Sequence, residues 1–294
     1  MKKLIFISIT IILFSTKLFA LDIQSKQIEI NKNKIHYYQI DNSKSKLNLI
    51  MLTGIGTTAN FWPKDFIDKL SHKYNLYILD YRGINTDQNK ANLSYSIFDL
   101  ANDTNVFTKK LNLKEAYLLG WSMGSTIALQ TVFDNPKSYK KIFLISPPLP
   151  TKFKDDAKFK KAPEFKNNDD IYNYVFENNL YQYTPDKLSN EKSRFINLNI
   201  NTLFPSKEVY AKQKIARNNW VSNKTSINNF VNIKTPTVIF LSKNDQIEHI
   251  GNIQKTISSL KNKDAVSVIY LNDSGHAIDW DQSLKVATII NTLS

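Results

Sequence analysis

From Gln24 onward, short apolar runs alternate with stretches of helical spacing, and several runs are closed by Gly or Pro. Leu47–Leu52 reads Leu-Asn-Leu-Ile-Met-Leu and stops at Thr53-Gly54-Ile55-Gly56. A run so short, apolar at both parities and ended by glycine, predicts a strand buried on both faces. Tyr74–Tyr81, Ala116–Leu119, Lys141–Ser146, Thr237–Leu241 and Val266–Leu271 repeat the pattern. Between them, Asn60–Lys73, Ser94–Leu111, Met123–Phe133, Gly251–Leu260 and Ile278–Leu293 predict helices. Ahead of these, Gln27–Asn31 and Lys34–Ile40 flank an Asn-Lys-Asn turn, which predicts a hairpin. Parallel strands need crossovers, and a helix is the usual one. The alternation therefore predicts an α/β fold, a mostly parallel sheet with helices on both faces.

The pattern breaks at Thr151. Residues 151–234 hold no Gly and no alternating run, and they are dense in Lys and aromatic residues. Ile171–Leu180 and Lys207–Trp220 are the helical stretches within them. We read 151–234 as a helical lid or cap inserted into a core made by 21–150 and 235–294. No internal repeat is visible.

Residues 1–20 read as a signal peptide. Lys2 and Lys3 give a charged start, Leu4–Phe14 carries no charge, and Ala20 supplies a small residue at the cut. Such a run fits a signal peptide and is too short for a membrane span. Leu18 stands where a small residue is preferred, so an uncleaved N-terminal membrane anchor is the alternative. The expectation is export to the periplasm or the medium.

Composition removes several classes. With 42% apolar and 22% charged residues, the chain has enough apolar surface to exclude disorder. The absence of Cys excludes disulfide scaffolds, thiolate zinc sites and cysteine nucleophiles. A net charge of +13 suggests nucleic acid, but only Arg82, Arg194 and Arg217 among the 39 basic residues are Arg. Arg is the favoured residue for bidentate phosphate and base contacts. A solvated basic surface with no nucleic-acid partner is expected, with weak attraction to anionic membrane surfaces.

Gly120-Trp121-Ser122-Met123-Gly124 lies between the Ala116 strand and the Met123 helix. A serine on a tight strand-to-helix turn has an exposed hydroxyl, and the helix N-terminus behind it offers N–H groups to developing negative charge. With only seven glycines in the chain, chance yields this pattern in about 1% of such sequences. Six of the seven (Gly54, Gly56, Gly83, Gly120, Gly124 and Gly275) fall at strand ends. Gly251 reads as plain loop or helix entrance.

On these residues the chain resembles the α/β-hydrolase superfamily, from about Gln24 to the C-terminus apart from the insertion. The resemblance makes Gly120–Gly124 the nucleophile elbow and Ser122 the nucleophile. Thr53-Gly54-Ile55-Gly56 is similar to the family's oxyanion loop, with Thr53 in the place of His. It implies that the backbone N–H groups of Ile55 and Met123 form the oxyanion hole. Asp80-Tyr81-Arg82-Gly83 resembles a structural turn of the family, with Asn85 where a further Gly is common. The family order Ser, acid, His then points to Asp245, after the Thr237 strand, and to His276, after the last strand. The other histidines, His36, His72 and His249, read as surface or packing residues. Glu248, Asp273 and Asp279 are the rival acids; Glu248 is expected past the strand and turned to solvent.

The implied function is a serine hydrolase cleaving a carboxylic ester, of a lipid or a small acyl or aryl alcohol, through an acyl-enzyme with no cofactor and no metal. Family members of similar size and motif also cleave pimeloyl-carrier-protein methyl esters, thioesters, amides or N-terminal proline peptides, or act as cofactor-free peroxidases. A carrier-protein ester needs a cytoplasmic enzyme, against which the export signal counts. The rival of another class is a non-catalytic binding protein on a hydrolase scaffold, which a degraded triad would favour.

Overall fold

The computed structural model describes residues 21–86, 92–114, 116–153, 164, 166–177, 179–195 and 203–294. The expected signal peptide, residues 1–20, lies outside the described residues, as do parts of the 151–234 segment. The chain opens with a hairpin of β1 (Ile23–Ile30) and β2 (Asn33–Ile40). Its turn places Asn31 and Lys32 at φ 52° and 64°, the backbone that suits the twist of a tight hairpin. Next come β3 (Asn48–Leu52), α1 (Lys64–Ser71), β4 (Asn75–Leu79), α2 (Ile97–Lys110), β5 (Ala116–Trp121), α3 (Met123–Asp134) and β6 (Tyr139–Ile145). Between β6 and β7 the described residues form α4 (Asn168–Phe176), α5 (Leu188–Lys192), α6 (Lys207–Val221) and α7 (Lys224–Val231). The chain closes with β7 (Thr237–Ser242), α8 (Ile250–Ser258), β8 (Val266–Leu271), α9 (Ile278–Asp281) and α10 (Ser283–Leu293). None of the described helices is long and apolar enough to cross a membrane.

The strands form one eight-stranded sheet in the order β1-β2-β4-β3-β5-β6-β7-β8. Only the pairings made by β2 are antiparallel. Alternate residues of each central strand feed opposite layers. Ile50, Leu52, Leu118 and Leu144 join the cluster that packs on α2 and α3. Leu49, Met51, Leu119 and Phe143 join the one that holds α1 and α10. Both faces of these strands are buried, as the unbroken apolar runs require. Strand order reverses between β3 and β5, one neighbour running back to β4 and the other on to β6. In sheets of this kind the crevice at such a reversal, beyond the carboxyl ends of the strands, receives the ligand.

Helical expectations change in detail. Asn60–Lys73 is divided at Pro63, whose preceding residue is pushed out of helical backbone; a single 3-10 turn, Ala59–Phe61, precedes α1. Ile278–Leu293 breaks at Gln282 (φ −128°, ψ 35°) into α9 and α10. There Asp65 takes hydrogen bonds from Ser283 and Arg194 across the break. Helix α7, capped by the Asn223 side chain on the Ser226 N–H at 3.1 Å, has no clear signal in the sequence.

Candidate active site

Strand β5 and helix α3 meet in a turn too tight for side chains at its flanks. A Cβ on Gly120 would lie 2.5 Å from the Gly124 backbone, and one on Gly124 would lie 2.0 Å from the Leu52 carbonyl oxygen. Ser122 sits between them at φ 53°, ψ −123°, a conformation that costs a non-glycine residue about 1–3 kcal/mol. The surroundings hold it there. Its N–H donates to the Ile145 carbonyl at 2.9 Å, and its carbonyl accepts from the Ser125 N–H at 2.8 Å. The Ser125 hydroxyl also donates to the Gly120 carbonyl at 2.7 Å. Met123 is the first residue of α3, where a helix gives the backbone N–H no internal acceptor.

Strand β3 delivers the second loop beside this turn. A methyl on Gly54 would come within 3.2 Å of the Ser122 Cβ. The Thr57 hydroxyl donates to the Gly54 carbonyl at 3.0 Å. That carbonyl and the Ile55 N–H belong to one trans peptide, so they point to opposite sides. Anchoring the carbonyl on Thr57 thereby aims the Ile55 N–H away from Thr57. Tyr81 donates its hydroxyl to the Thr53 carbonyl at 2.7 Å, and the Gly56 N–H donates to Gln213 Oε1 at 2.9 Å. These three bonds fix the loop from Thr53 to Gly56.

The ends of β7 and β8 bring Asp245 and His276 together. His276 Nδ1 lies 2.8 Å from Asp245 Oδ2, with side chains 2% and 4% exposed. The other Asp245 oxygen accepts the N–H groups of Ile247 and Glu248 at 2.8 and 3.0 Å. A carboxylate held this way keeps the proton on Nδ1 and leaves Nε2 as an acceptor. The Trp121 indole donates to the His276 carbonyl at 3.0 Å, which ties the imidazole loop to the residue preceding Ser122. Burial opposes the imidazolium, but the charge and hydrogen bond of Asp245, with the charges of Glu248 and Asp279, outweigh it. The pKa of His276 is therefore raised above the ordinary 6.5.

The rival acids take other places. Asp273 is exposed. Asp279 is wholly buried one turn beyond His276, and burial pushes its pKa up to about 7. Glu248 corrects the expectation of a solvent-facing side chain: it is 5% exposed and bonded through Oε1 to Arg217 Nη2 at 2.7 Å. The loop turns back under α6 after Asp245, and the buried guanidinium takes the carboxylate with it.

His72 and His249 are exposed. His36 is buried, with Nδ1 2.8 Å from Asp80 Oδ2 and Nε2 2.9 Å from the Ser25 hydroxyl. Ser25 lies mid-strand in β1, away from any helix N-terminus, and Asp80 also accepts from the Ala59 N–H and Asn85. This array braces the turn after β4, as does the Arg82–Asp103 pair at 2.7 Å. Asn85 supplies the positive φ, 51°, for which a further glycine is common.

The model of the family described as alpha/beta hydrolase fold matches residues 48–282. The chain belongs to the alpha/beta hydrolase fold family. It is a hydrolase of that fold, with the eight-stranded sheet and flanking helices that the sequence predicts. Among its relatives, the N-formylmaleamate deformylase of Pseudomonas putida is 30% identical over 102 residues, 34% of this chain and 37% of that protein. The pimeloyl-[acyl-carrier protein] methyl ester esterase of Wigglesworthia glossinidia brevipalpis is 25% identical over 252 residues, covering 83% and 92%. A solved alpha/beta hydrolase fold protein from Chitinophaga pinensis superposes with a TM-score of 0.74 at 15% identity, covering 93% of this chain and 98% of that one. Within this family frame, the sequence gives no sign of Thr57, Gln213 and Arg217 as neighbours of the site. Each reaches it through a hydrogen bond made across long separations or inside a loop, and residue type alone does not announce that.

Proposed function

We propose that this hydrolase cleaves a carboxylic ester, of a lipid or a small acyl or aryl alcohol, with Ser122 as nucleophile, His276 as base and Asp245 as the acid that orients it. The carrying observation is the buried 2.8 Å Asp245–His276 hydrogen bond, joined through Trp121 to a strained serine at a helix N-terminus. His276 Nε2 takes the Ser122 proton as the oxygen attacks the acyl carbon. The tetrahedral oxyanion is met by the N–H groups of Ile55 and Met123, each worth about 3 kcal/mol of barrier. His276 returns the proton to the departing alcohol, then activates water to release the acid. The steps use this chain's own groups and no cofactor.

The substrate class rests on the wall above the oxyanion loop. The rings of Tyr210 and Phe204 lie against Gly56, where an added methyl would approach them to 3.0 and 3.1 Å. The Tyr174 and Tyr210 hydroxyls are 2.8 Å apart beside them. Such a wall suits an acyl chain or an aryl group. We read residues 151–234 as the lid that carries it, and the mature protein as exported after removal of residues 1–20. A deformylase and a methyl ester esterase among the relatives make amide and methyl ester cleavage the second reading.

A panel of p-nitrophenyl esters of rising chain length, run beside amides and thioesters, tests the class. Ser122→Ala should abolish turnover and fluorophosphonate labelling while leaving the fold intact. Undiminished labelling in that variant would overturn the assignment, and no labelling of the unaltered protein would favour a binding protein.

A further inference from the structure

We propose that helix α6 is a positioning element of the active site, holding the oxyanion loop through Gln213 and the acid loop through Arg217. The inference rests on the triad reading and adds two residues to it. Gln213 and Arg217 stand four apart, so they share one face of α6. That face is buried: Gln213 is 0% and Arg217 1% exposed, among Val209, Ala216 and Trp220. Buried polar side chains on an otherwise apolar helix face are unfavourable unless something takes up their hydrogen bonds. Gln213 also donates to the Tyr95 hydroxyl at 3.4 Å and Arg217 to Asn218 Oδ1 at 3.3 Å, but each makes its shorter bond to one of the catalytic loops.

Gln213 Oε1 accepts the Gly56 N–H at 2.9 Å. Thr57 fixes the Gly54–Ile55 peptide from one side, and Gln213 fixes the next peptide, Ile55–Gly56, from the other. The Ile55 Cα thus joins two anchored peptide planes, the first carrying its N–H and the second anchored from α6. Arg217 Nη2 grips Glu248 Oε1 at 2.7 Å, and the Glu248 N–H is one of the two that orient Asp245. Two helical turns beyond Gln213, Trp220 donates its indole N–H to Gln130 Oε1 on α3 at 2.9 Å. The helix is therefore pinned to the nucleophile's own helix while it holds the two loops. A buried ion pair is a poor device for stability, since apolar side chains of similar volume serve as well. It does fix direction, and here the direction is that of the triad acid. Any displacement of α6 by a bound acyl group is transmitted to the oxyanion hole and to Asp245 together.

The test uses the full chain and four variants: Gln213→Leu, Gln213→Glu, the double variant Arg217→Met/Glu248→Leu, and Ile215→Ala as an α6 control on the exposed face (60% exposed). The double variant avoids leaving an unpaired buried charge, so it folds while the loop loses its tether. Gln213→Leu should lower kcat about 10- to 100-fold, as small misplacements of catalytic groups do, with KM little changed and the melting temperature lowered by the orphaned Gly56 N–H. Its fluorophosphonate labelling should slow in parallel. Gln213→Glu, which keeps an acceptor for the Gly56 N–H, should recover most of the loss. The double variant should lose about tenfold in kcat by the same reasoning, and Ile215→Ala nothing. Wild-type kcat in Gln213→Leu or in the folded double variant overturns the proposal, as does a Gln213→Leu loss that Gln213→Glu does not relieve. Ser122→Ala, run alongside, separates the two failures: labelling that survives in it removes the triad reading itself.

Discussion

Asp279 offers a direct measurement of what burial does to a carboxyl group beside this site. It is 0% exposed, and neither carboxyl oxygen has a hydrogen-bond partner among the described residues beyond its own backbone N–H. Burial pushes its pKa from 3.8 up to about 7; Asp281 adds to the rise, while His276 and Arg194 oppose it. Between those two values the native chain holds a proton that the unfolded chain has released. Stability therefore falls as pH rises from about 4 to about 7. Each unit of the gap is worth 1.36 kcal/mol, so the whole gap amounts to about 4 kcal/mol, of which about 3 kcal/mol falls between pH 5 and pH 8. Asn has nearly the shape of the protonated acid and cannot ionise. Asp279→Asn should gain about 3 kcal/mol over the wild type on going from pH 5 to pH 8, roughly 6–12 °C in Tm for a domain of this size. Urea and thermal melts at both pH values, followed by fluorescence of the four Trp, measure it. An equal difference between variant and wild type at the two pH values would refute the reasoning.

Asp245→Asn should cost several orders of magnitude in kcat, because the imidazole loses the partner that sets its tautomer; Asp273→Asn should cost little, and steady-state kinetics on one ester compares them. The acid limb of the kcat/KM profile should lie above pH 6.5, since the pKa of His276 is raised. Thr57→Val releases the Gly54 carbonyl and should lower kcat about tenfold with KM nearly unchanged, a weakening of one oxyanion donor short of its removal. N-terminal sequencing of the native protein should find a chain beginning just after Ala20. A soluble cytoplasmic chain starting at Met1 would instead revive the carrier-protein ester.

The sheet, its buried strands and the order of its helices were legible because strand and helix have different periods, and burial on two faces leaves an unbroken apolar run. The elbow was legible for a steric reason. Gly120 and Gly124 are demanded by backbone approaches of 2.5 and 2.0 Å, and in a chain with seven glycines such positions stand out. Ser122, Asp245 and His276 each follow a strand, and the resemblance to the family, laid on that strand pattern, singled them out as candidates. The fate of side chains that leave the strand ends is another matter. Glu248 reads as a loop acid bound for solvent until α6 brings Arg217 over it. Gln213, from α6, and Thr57, inside the loop after β3, join the candidate site only through hydrogen bonds to backbone groups. Local sequence sets backbone conformation and the face a residue occupies. Which buried polar groups meet is fixed only when distant elements pack, and that packing decided the supports of the active site.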